Sequence, residues 1–379
     1  MRRLLLLRSK KLFAAAFFTL AFAVMANAQS GRVQATPTPM PRDADTVRIA
    51  TEEIKLNVLA FDESGNFFND VTTNDLVITE NNVLHQPMSV RRLPANVLIV
   101  MDTGGEMRNL KNLDQTRKVA RGVIGALRPD DAVAIMQYAD KAEIVADWTT
   151  DKDHALDAIK RTNFGRRSMF VEALKLATDF LLKNPLENRH LVLITDGTDS
   201  LGRSSAKFDA FQRLLESDIS VHVISYTSME ATDIEPRTKG ISNSPPPKAM
   251  PDEVRDQLPT GGPREAAKMP KIGPTINLDR TLLKKMKARK LDLEVNQEQL
   301  EKVAENTNGE FILPETLDEM VEKAPLVAKM IDSNYVVTYM PKIPVVETRG
   351  ISERNIEVTS RRAGLIVQAR RKLVIDHSN

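Results

Sequence analysis

The sequence predicts an α/β protein: a doubly wound, mostly parallel sheet with helices on both faces, flanked by an antiparallel β-module drawn from the two ends of the chain. Three observations predict it. Two short apolar runs, Val97-Leu98-Ile99-Val100-Met101 and Leu191-Val192-Leu193-Ile194-Thr195, each break off at an aspartate followed by a glycine-containing loop. Apolar runs of this length, bounded by turn residues, read as parallel strands buried on both faces. From residue 96 onward, strand-like and helix-like segments alternate, as in βαβ units. Towards both ends of the chain the apolar period drops to two, that of half-buried strands.

The elements follow in order. Residues 1–28 have the pattern of a secretion signal: Arg2, Arg3, Arg8, Lys10 and Lys11, an apolar stretch over 12–25, and Ala26-Asn27-Ala28 as a small-x-small cleavage site. That stretch is shorter than the roughly 20 residues a spanning helix needs. Cleavage is therefore expected, giving a secreted or periplasmic chain with no transmembrane segment. Residues 29–45 form a Thr/Pro linker. Over 46–95, Ile54, Leu56, Val58 and Ala60 share one strand face, Asp62-Glu63-Ser64-Gly65 supplies a turn, and Leu76 to Glu80 is a second strand. Asn81-Asn82 is a hairpin signal. Met88, Val90 and Leu93 continue the β pattern. Such a unit is marginal alone.

Residues 96–335 carry the alternation. A helix over 110–127 has Val119, Val123, Ile124 and Leu127 on one stripe. Strands over 131–138 and 142–148 are joined at Ala139-Asp140-Lys141, and a helix begins at Asp151. Ser168 is expected to cap a helix carrying Phe170, Ala173, Leu174, Ala177, Phe180 and Leu181. A helix over 206–215 and a strand over 220–226 come next. Between 228 and 277 the periodicity fails; nine of the twenty prolines fall there, and the stretch reads as a long Pro-rich insertion. Residues 278–290 look helical, with Arg280, Lys284, Lys285, Lys287, Arg289 and Lys290 forming a face expected to be solvated. A helix over 296–307, a stop at Gly309, a strand over 310–313 and a helix over 317–331 complete the run. Residues 336–379 are β again, continuing a strand that starts at Tyr335. The segments 355–360 and 365–370 are expected to form a hairpin.

Bulk properties exclude several function classes. The formal net charge is +2, and loss of the five basic residues of 1–28 takes it to −3. A near-neutral chain has no global electrostatic reason to seek nucleic acid or anionic lipid. There are no cysteines, so disulfides, thiolate metal sites and cysteine nucleophiles are excluded. The five histidines (His85, His154, His190, His222, His377) lack zinc-ligand spacing and read as ordinary surface or strand residues.

Both aspartates, Asp102 and Asp196, fall at the carboxyl ends of predicted parallel strands, the edge where open α/β sheets bind ligands. Two carboxylates at one edge without a basic partner would repel, which suggests a shared cation.

The motifs around these aspartates resemble the von Willebrand factor type A family. The resemblance covers roughly residues 96–335. It implies a mostly parallel sheet wrapped by helices and a metal-ion-dependent adhesion site. That site has Asp-x-Ser-x-Ser after the first strand, a Thr from a second loop and an Asp from a third. Asp102 matches the first Asp; Gly104 and Glu106 stand where the two Ser are expected; Ser168, in Gly165-Arg166-Arg167-Ser168, stands for the Thr; Asp196 matches the third-loop Asp. The arrangement of the whole chain is similar to that of secreted VWFA-related proteins of Acidobacteria. These carry an N-terminal β-segment and a Tyr-x-x-x-Tyr-x-Pro strand, here Tyr335-Val336-Val337-Thr338-Tyr339-Met340-Pro341.

The resemblance implies metal ligands at Asp102, Glu106, Ser168 and Asp196, with Mg2+, or Ca2+ or Mn2+, as the cation. It places a ligand-binding rim at Thr103, Gly104, Arg166, Arg167, Thr198 and Asp199. Gly104 offers no side-chain oxygen, and Asp102, Glu106 and Asp196 together would neutralise a divalent ion. Two readings stay open: a metal-competent site, and a metal-free one in which Gly104 and Gly105 serve a tight turn. An aspartic-protease-like reading of Asp102-Thr103-Gly104 is disfavoured, because the second copy reads Thr195-Asp196-Gly197 and a helix follows the first. The expectation is a binding module for a protein or cell-surface polymer, not an enzyme. The alternative is a metal-independent scaffold of the cell envelope.

Overall fold

The computed structural model describes residues 53–105, 113–183, 185–243, 274–343, 351–370 and 372–376. The expected signal segment, the linker, Glu106 and most of the Pro-rich insertion lie outside the described residues.

The chain enters through β1 (Ile54–Phe61), β2 (Leu76–Glu80), β3 (Val83–His85) and β4 (Pro87–Arg91). The alternating part follows: β5 (Asn96–Asp102), α1 (Leu113–Ala126), β6 (Ala132–Tyr138), β7 (Ala142–Thr149), α2 (Lys152–Lys160), α3 (Phe170–Lys183), β8 (Arg189–Thr195), α4 (Ser204–Leu215) and β9 (Ser220–Ser225). Then come α5 (Thr227–Ile234), the short pair β10 (Ile241–Ser242) and β11 (Thr275–Ile276), α6 (Arg280–Asn306), β12 (Phe311–Ile312) and α7 (Leu317–Asp332). The chain closes with β13 (Asn334–Tyr339), β14 (Ile351–Ser360), β15 (Ile366–Ala369) and β16 (Lys372–Asp376).

The central sheet has the order β12-β9-β8-β5-β6-β7. Its pairs are parallel except β6–β7, which is antiparallel. Side-chain alternation splits β5 between two cores. Val97, Ile99 and Met101 pack with α1, α2 and α7, whereas Leu98 and Val100 pack with α3, α4 and α6. A strand covered on both faces must be apolar at nearly every position, which is why its sequence shows no alternation.

The flanks build two further four-stranded sheets, ordered β15-β1-β13-β4 and β16-β14-β2-β3. Leu56, Val58, Leu76, Ile78, Val337, Tyr339, Ile356 and Val358 share one core between them. The composite β-module expected from both ends of the chain is thus assembled by cross-pairing, β1 with β13 and β2 with β14. The Asn81-Asn82 turn forms as read, with both residues at positive φ (47° and 64°), the backbone of a two-residue hairpin. The hairpin expected between 355–360 and 365–370 does not form. β14 pairs with β2 and β16, while β15 crosses to β1. Alternation fixes which face a strand buries but not which neighbour it takes.

Two helical expectations also change. Residues 228–238, expected to open the Pro-rich insertion without periodic structure, instead lie in α5 and a 3-10 turn over Glu235–Thr238. The segments 278–290 and 296–307 join into the single 27-residue helix α6, capped by the Asp279 carboxylate on the N–H groups of Thr281 and Leu282.

The β-module covers the amino ends of the central strands. Asn57 Nδ2 donates to Ser220 Oγ (2.9 Å), Asn334 Nδ2 to Asn188 Oδ1 (2.7 Å), and Arg370 Nη1 to the Ser217 carbonyl (2.6 Å). Ser220 begins β9 and Asn188 precedes β8, so these bonds all lie at the edge opposite Asp102 and Asp196.

Candidate binding site at the carboxyl edge of the central sheet

Three loops meet at the carboxyl edge: 102–105 after β5, 164–169 before α3, and 196–203 after β8. The middle loop is stitched to both others. Gly104 and Gly165 form a parallel bridge, with Gly105 N–H donating to the Gly165 carbonyl (2.9 Å) and Gly165 N–H to that of Thr103 (3.1 Å). On the other side Met169 bridges Asp199, Ser200 N–H donates to the Ser168 carbonyl (2.8 Å), and Ser168 N–H to Ser200 Oγ (2.8 Å).

The carboxylates are held from within this lattice. Asp102 Oδ1 accepts the Ser168 hydroxyl (3.0 Å) and the Gly104 N–H (3.0 Å). Asp102, Ser168 and Asp196 are buried. Asp196 Oδ1 accepts the Thr198 N–H (2.8 Å), while Oδ2 accepts from Arg289 Nη2 (3.2 Å). The same guanidinium reaches Glu230 Oε1 of α5 through Nη2 (2.6 Å) and Nε (3.2 Å), and Thr198 Oγ1 through Nη1 (2.8 Å). Lys207 of α4 donates to the Gly197 carbonyl (2.9 Å) and to Asn296 Oδ1 of α6 (2.6 Å). Burial pushes the Lys207 ammonium down to about 8, against the pull of Asp196, Asp199 and Asp292.

The expected site residues are thus placed as follows. Ser168 meets Asp102, and Asp196 lies on the neighbouring loop. Arg166 and Arg167 are exposed, their backbone N–H groups held by the Asp140 carboxylate. Thr198 and Asp199 are half-buried. Thr103 and Gly104, expected on the rim, are instead buried, because Thr103 turns its N–H and hydroxyl to the Tyr138 carbonyl and Gly104 lies against the middle loop. Ser168 is not the cap of α3; its hydroxyl is committed to Asp102. The N–H of Val171 is instead taken by Asp199 Oδ1 (3.1 Å), and Asp199 also pairs with Arg203 (2.9 Å). Burial raises the Asp199 carboxyl, but Arg203 and the Val171 N–H outweigh it and hold it below the usual range. Asp199→Ala is expected to destabilise the fold by about 1–2 kcal/mol, read as a lower denaturant midpoint with an unchanged slope.

Sequence reasoning missed Arg289, Glu230, Lys207 and Asn296. A signal existed for Arg289. Met286, Leu293 and Leu300 recur every seven residues and are buried, and Arg289 and Asn296 fall on the same stripe. Arg289 and Lys290 are therefore not part of a solvated face: Lys290 pairs with Glu235, whereas Lys284, Lys285 and Lys287 are exposed.

As a cup for a divalent ion, this donor set departs from what the cation needs. Position 104 supplies no oxygen and has no room for a side chain: a Cβ there would lie 1.9 Å from the Arg167 carbonyl oxygen and 2.4 Å from Ser168 Oγ. Asp196 already has a cationic partner. Among the described residues, no group of three or more His, Asp or Glu is arranged to hold a metal ion. These residues do not fit the hard, oxygen-rich shell of Mg2+ or Ca2+.

A family model described as von Willebrand factor type A domain matches residues 97–198, from β5 to the loop that holds Asp196. Residues 97–198 match a von Willebrand factor type A domain. No curated protein matches the chain. Among solved structures it is similar to the conserved hypothetical protein BatB from Bacteroides thetaiotaomicron, at 15% identity over 62% of this chain and 98% of that one, with a TM-score of 0.37. It is similar to a von Willebrand factor type A protein from Catenulispora acidiphila, at 10% identity over 82% and 76%, with a TM-score of 0.40. It is also similar to the manganese-loaded TRAP protein of Plasmodium vivax, at 10% identity over 78% and 97%, with a TM-score of 0.35. No helix among the described residues is long and apolar enough to cross a membrane.

Proposed function

We propose that this chain is an exported, non-catalytic binding module that meets a protein or a cell-surface polymer at the carboxyl edge of its type A domain. The observation that carries this reading is the inequality of the two sheet edges. The amino edge is occupied by the β-module, whereas the carboxyl edge presents three interlocked loops with Arg166 and Arg167 exposed. Interlocked loops form a preorganised surface, which lowers the ordering cost of binding. The buried hydroxyl of Ser168 acts as a strut for Asp102 in this reading, not as a nucleophile. Two adjacent exposed arginines favour an acidic partner, since guanidinium groups pair with carboxylates in bidentate geometry. The basic start, apolar stretch and Ala26-Asn27-Ala28 of the sequence support export.

Cross-linked capture from envelope extract tests the reading, comparing the mature chain with an Arg166→Glu/Arg167→Glu variant and a Lys284→Glu/Lys287→Glu control. Capture that maps to residues 164–203 and is lost only in the first variant is expected. Equal capture by all three proteins would count against it.

A further inference from the structure

We infer that Arg289 is the resident cation of this edge: its guanidinium fills the electrostatic role that a divalent metal holds in the adhesion-type site, and the third loop takes its shape from helix α6 instead of from a bound ion. The inference concerns how the edge is built and stands whichever partner the edge meets.

Four contacts carry it. One planar fork donates to Asp196 Oδ2, twice to Glu230 Oε1, and to Thr198 Oγ1, at 2.6–3.2 Å. Asp196 and Glu230 are buried carboxylates from separate elements, and the Arg289 side chain is only 20% exposed. Buried charges of this kind persist only when paired and hydrogen-bonded, and a guanidinium suits them because its fixed donors serve two acceptors at once. Thr198 closes a ring: its N–H goes to Asp196 Oδ1 and its hydroxyl accepts from Arg289. Asn296, two turns further along α6, donates to the same hydroxyl (3.4 Å) and accepts from Lys207, which in turn holds the Gly197 carbonyl. Residues 196–198 are thereby fixed from α4, α5 and α6 together. A divalent ion on Asp196 would sit within a few ångströms of the guanidinium and close to the Lys207 ammonium, where like charges repel strongly at low dielectric. The glycine at 104 completes the argument from the other loop, because packing against Arg167 and Ser168 removes the space a hydroxyl ligand would need.

Two measurements that involve no partner test this. In the first, the wild-type chain is titrated with Mg2+, Mn2+ and Ca2+ by calorimetry and by thermal unfolding, with and without chelator. No saturable heat and an unchanged Tm are expected. A saturable Tm rise that the chelator abolishes would overturn the inference. In the second, Arg289→Met and Arg289→Lys are compared with wild type by thermal unfolding. A Tm loss of about 5 °C or more in Arg289→Met, partly recovered in Arg289→Lys, is expected. A Tm equal to wild type in Arg289→Met would overturn it. If Arg289→Met fails to fold, Thr198→Val, which removes one guanidinium acceptor and leaves both carboxylates in place, replaces it with a smaller expected loss. Failure of the binding reading would leave both measurements untouched.

Discussion

Gly104→Ser, the substitution that restores a hydroxyl where the adhesion-type motif has its first serine, is expected to destabilise the protein by about 2–4 kcal/mol and to create no metal site. The new Cβ would lie 1.9 Å from the Arg167 carbonyl oxygen and 2.8 Å from its carbon. These are backbone atoms, so no rotamer change relieves the contact. The middle loop cannot retreat cheaply either. Arg167 N–H is held by Asp140 Oδ1 (3.1 Å), Gly165 is bridged to Gly104, and Ser168 is tied to Ser200. Separating the loops would break the Ser168–Asp102 bond and leave a buried carboxylate with one donor fewer. Equilibrium unfolding in denaturant reads the loss. A variant as stable as wild type, or one stabilised by Mn2+, would mean that the first loop stands off from the second.

Stability is also expected to fall as pH drops from 7 to 5, because of two buried histidines near the amino ends of β8 and β9. His190 Nδ1 lies 3.1 Å from His222 Nε2, and His190 Nε2 lies 2.8 Å from Asn188 Oδ1. His222 Nδ1 accepts the Glu310 N–H, so its proton sits on Nε2 and is donated to His190, which donates its own to Asn188. The chain works only with both rings neutral. Burial, then the neighbouring His222 and Arg128, pushes His190 well below its ordinary value; burial takes His222 down to about 3. The sign follows from linkage. Below the unfolded value near 6.5 the unfolded chain binds protons that the folded chain refuses, so stability is lost as pH falls. For His222, which stays neutral to pH 5, the loss between pH 7 and 5 is on the order of 2 kcal/mol, and His190 adds to it in the same direction. Glu310, pushed up by burial, acts in the opposite direction. Urea midpoints across this window check the prediction, and His190→Gln/His222→Gln should flatten the profile. A wild-type profile that is already flat would contradict it.

The parallel core was legible because burial on both faces leaves a mark: β5 is apolar without a break from Val97 to Met101 and β8 from Leu191 to Ile194, and both run into polar loops. The β-module was legible as alternating strands but not as a pairing scheme. Each of β14 and β15 could pair with either sheet, and only the shared core with Leu76 and Leu56 decides. At the site, Asp102, Ser168 and Asp196 were readable from motif order, and the structure joins the first two directly. The step from two carboxylates to a shared cation overlooked a basic side chain, since Arg289 pairs with Asp196. It assumed that no basic side chain was at hand, because Arg289 lies 93 residues from Asp196 and looked like one of six surface charges. The seven-residue recurrence of Met286, Leu293 and Leu300 turns that helix face inward, and it shows only when 278–290 and 296–307 are taken as one helix. Ser168 was misassigned as a cap for a related reason: local sequence favours serine before a helix, whereas the carboxylate that does the capping, Asp199, comes from another loop.

The most direct test of the account is a double-mutant cycle between Arg289 and Asp196, using Arg289→Met, Asp196→Asn and their combination in equilibrium unfolding. Asn at 196 keeps an acceptor for the Thr198 N–H, removes the charge and turns the oxygen that faces Arg289 into an NH2 group. A guanidinium that neutralises this carboxylate predicts a coupling of about 1–3 kcal/mol between the two substitutions. Strict additivity, with each single variant costing the same in the presence or absence of the other, would contradict it.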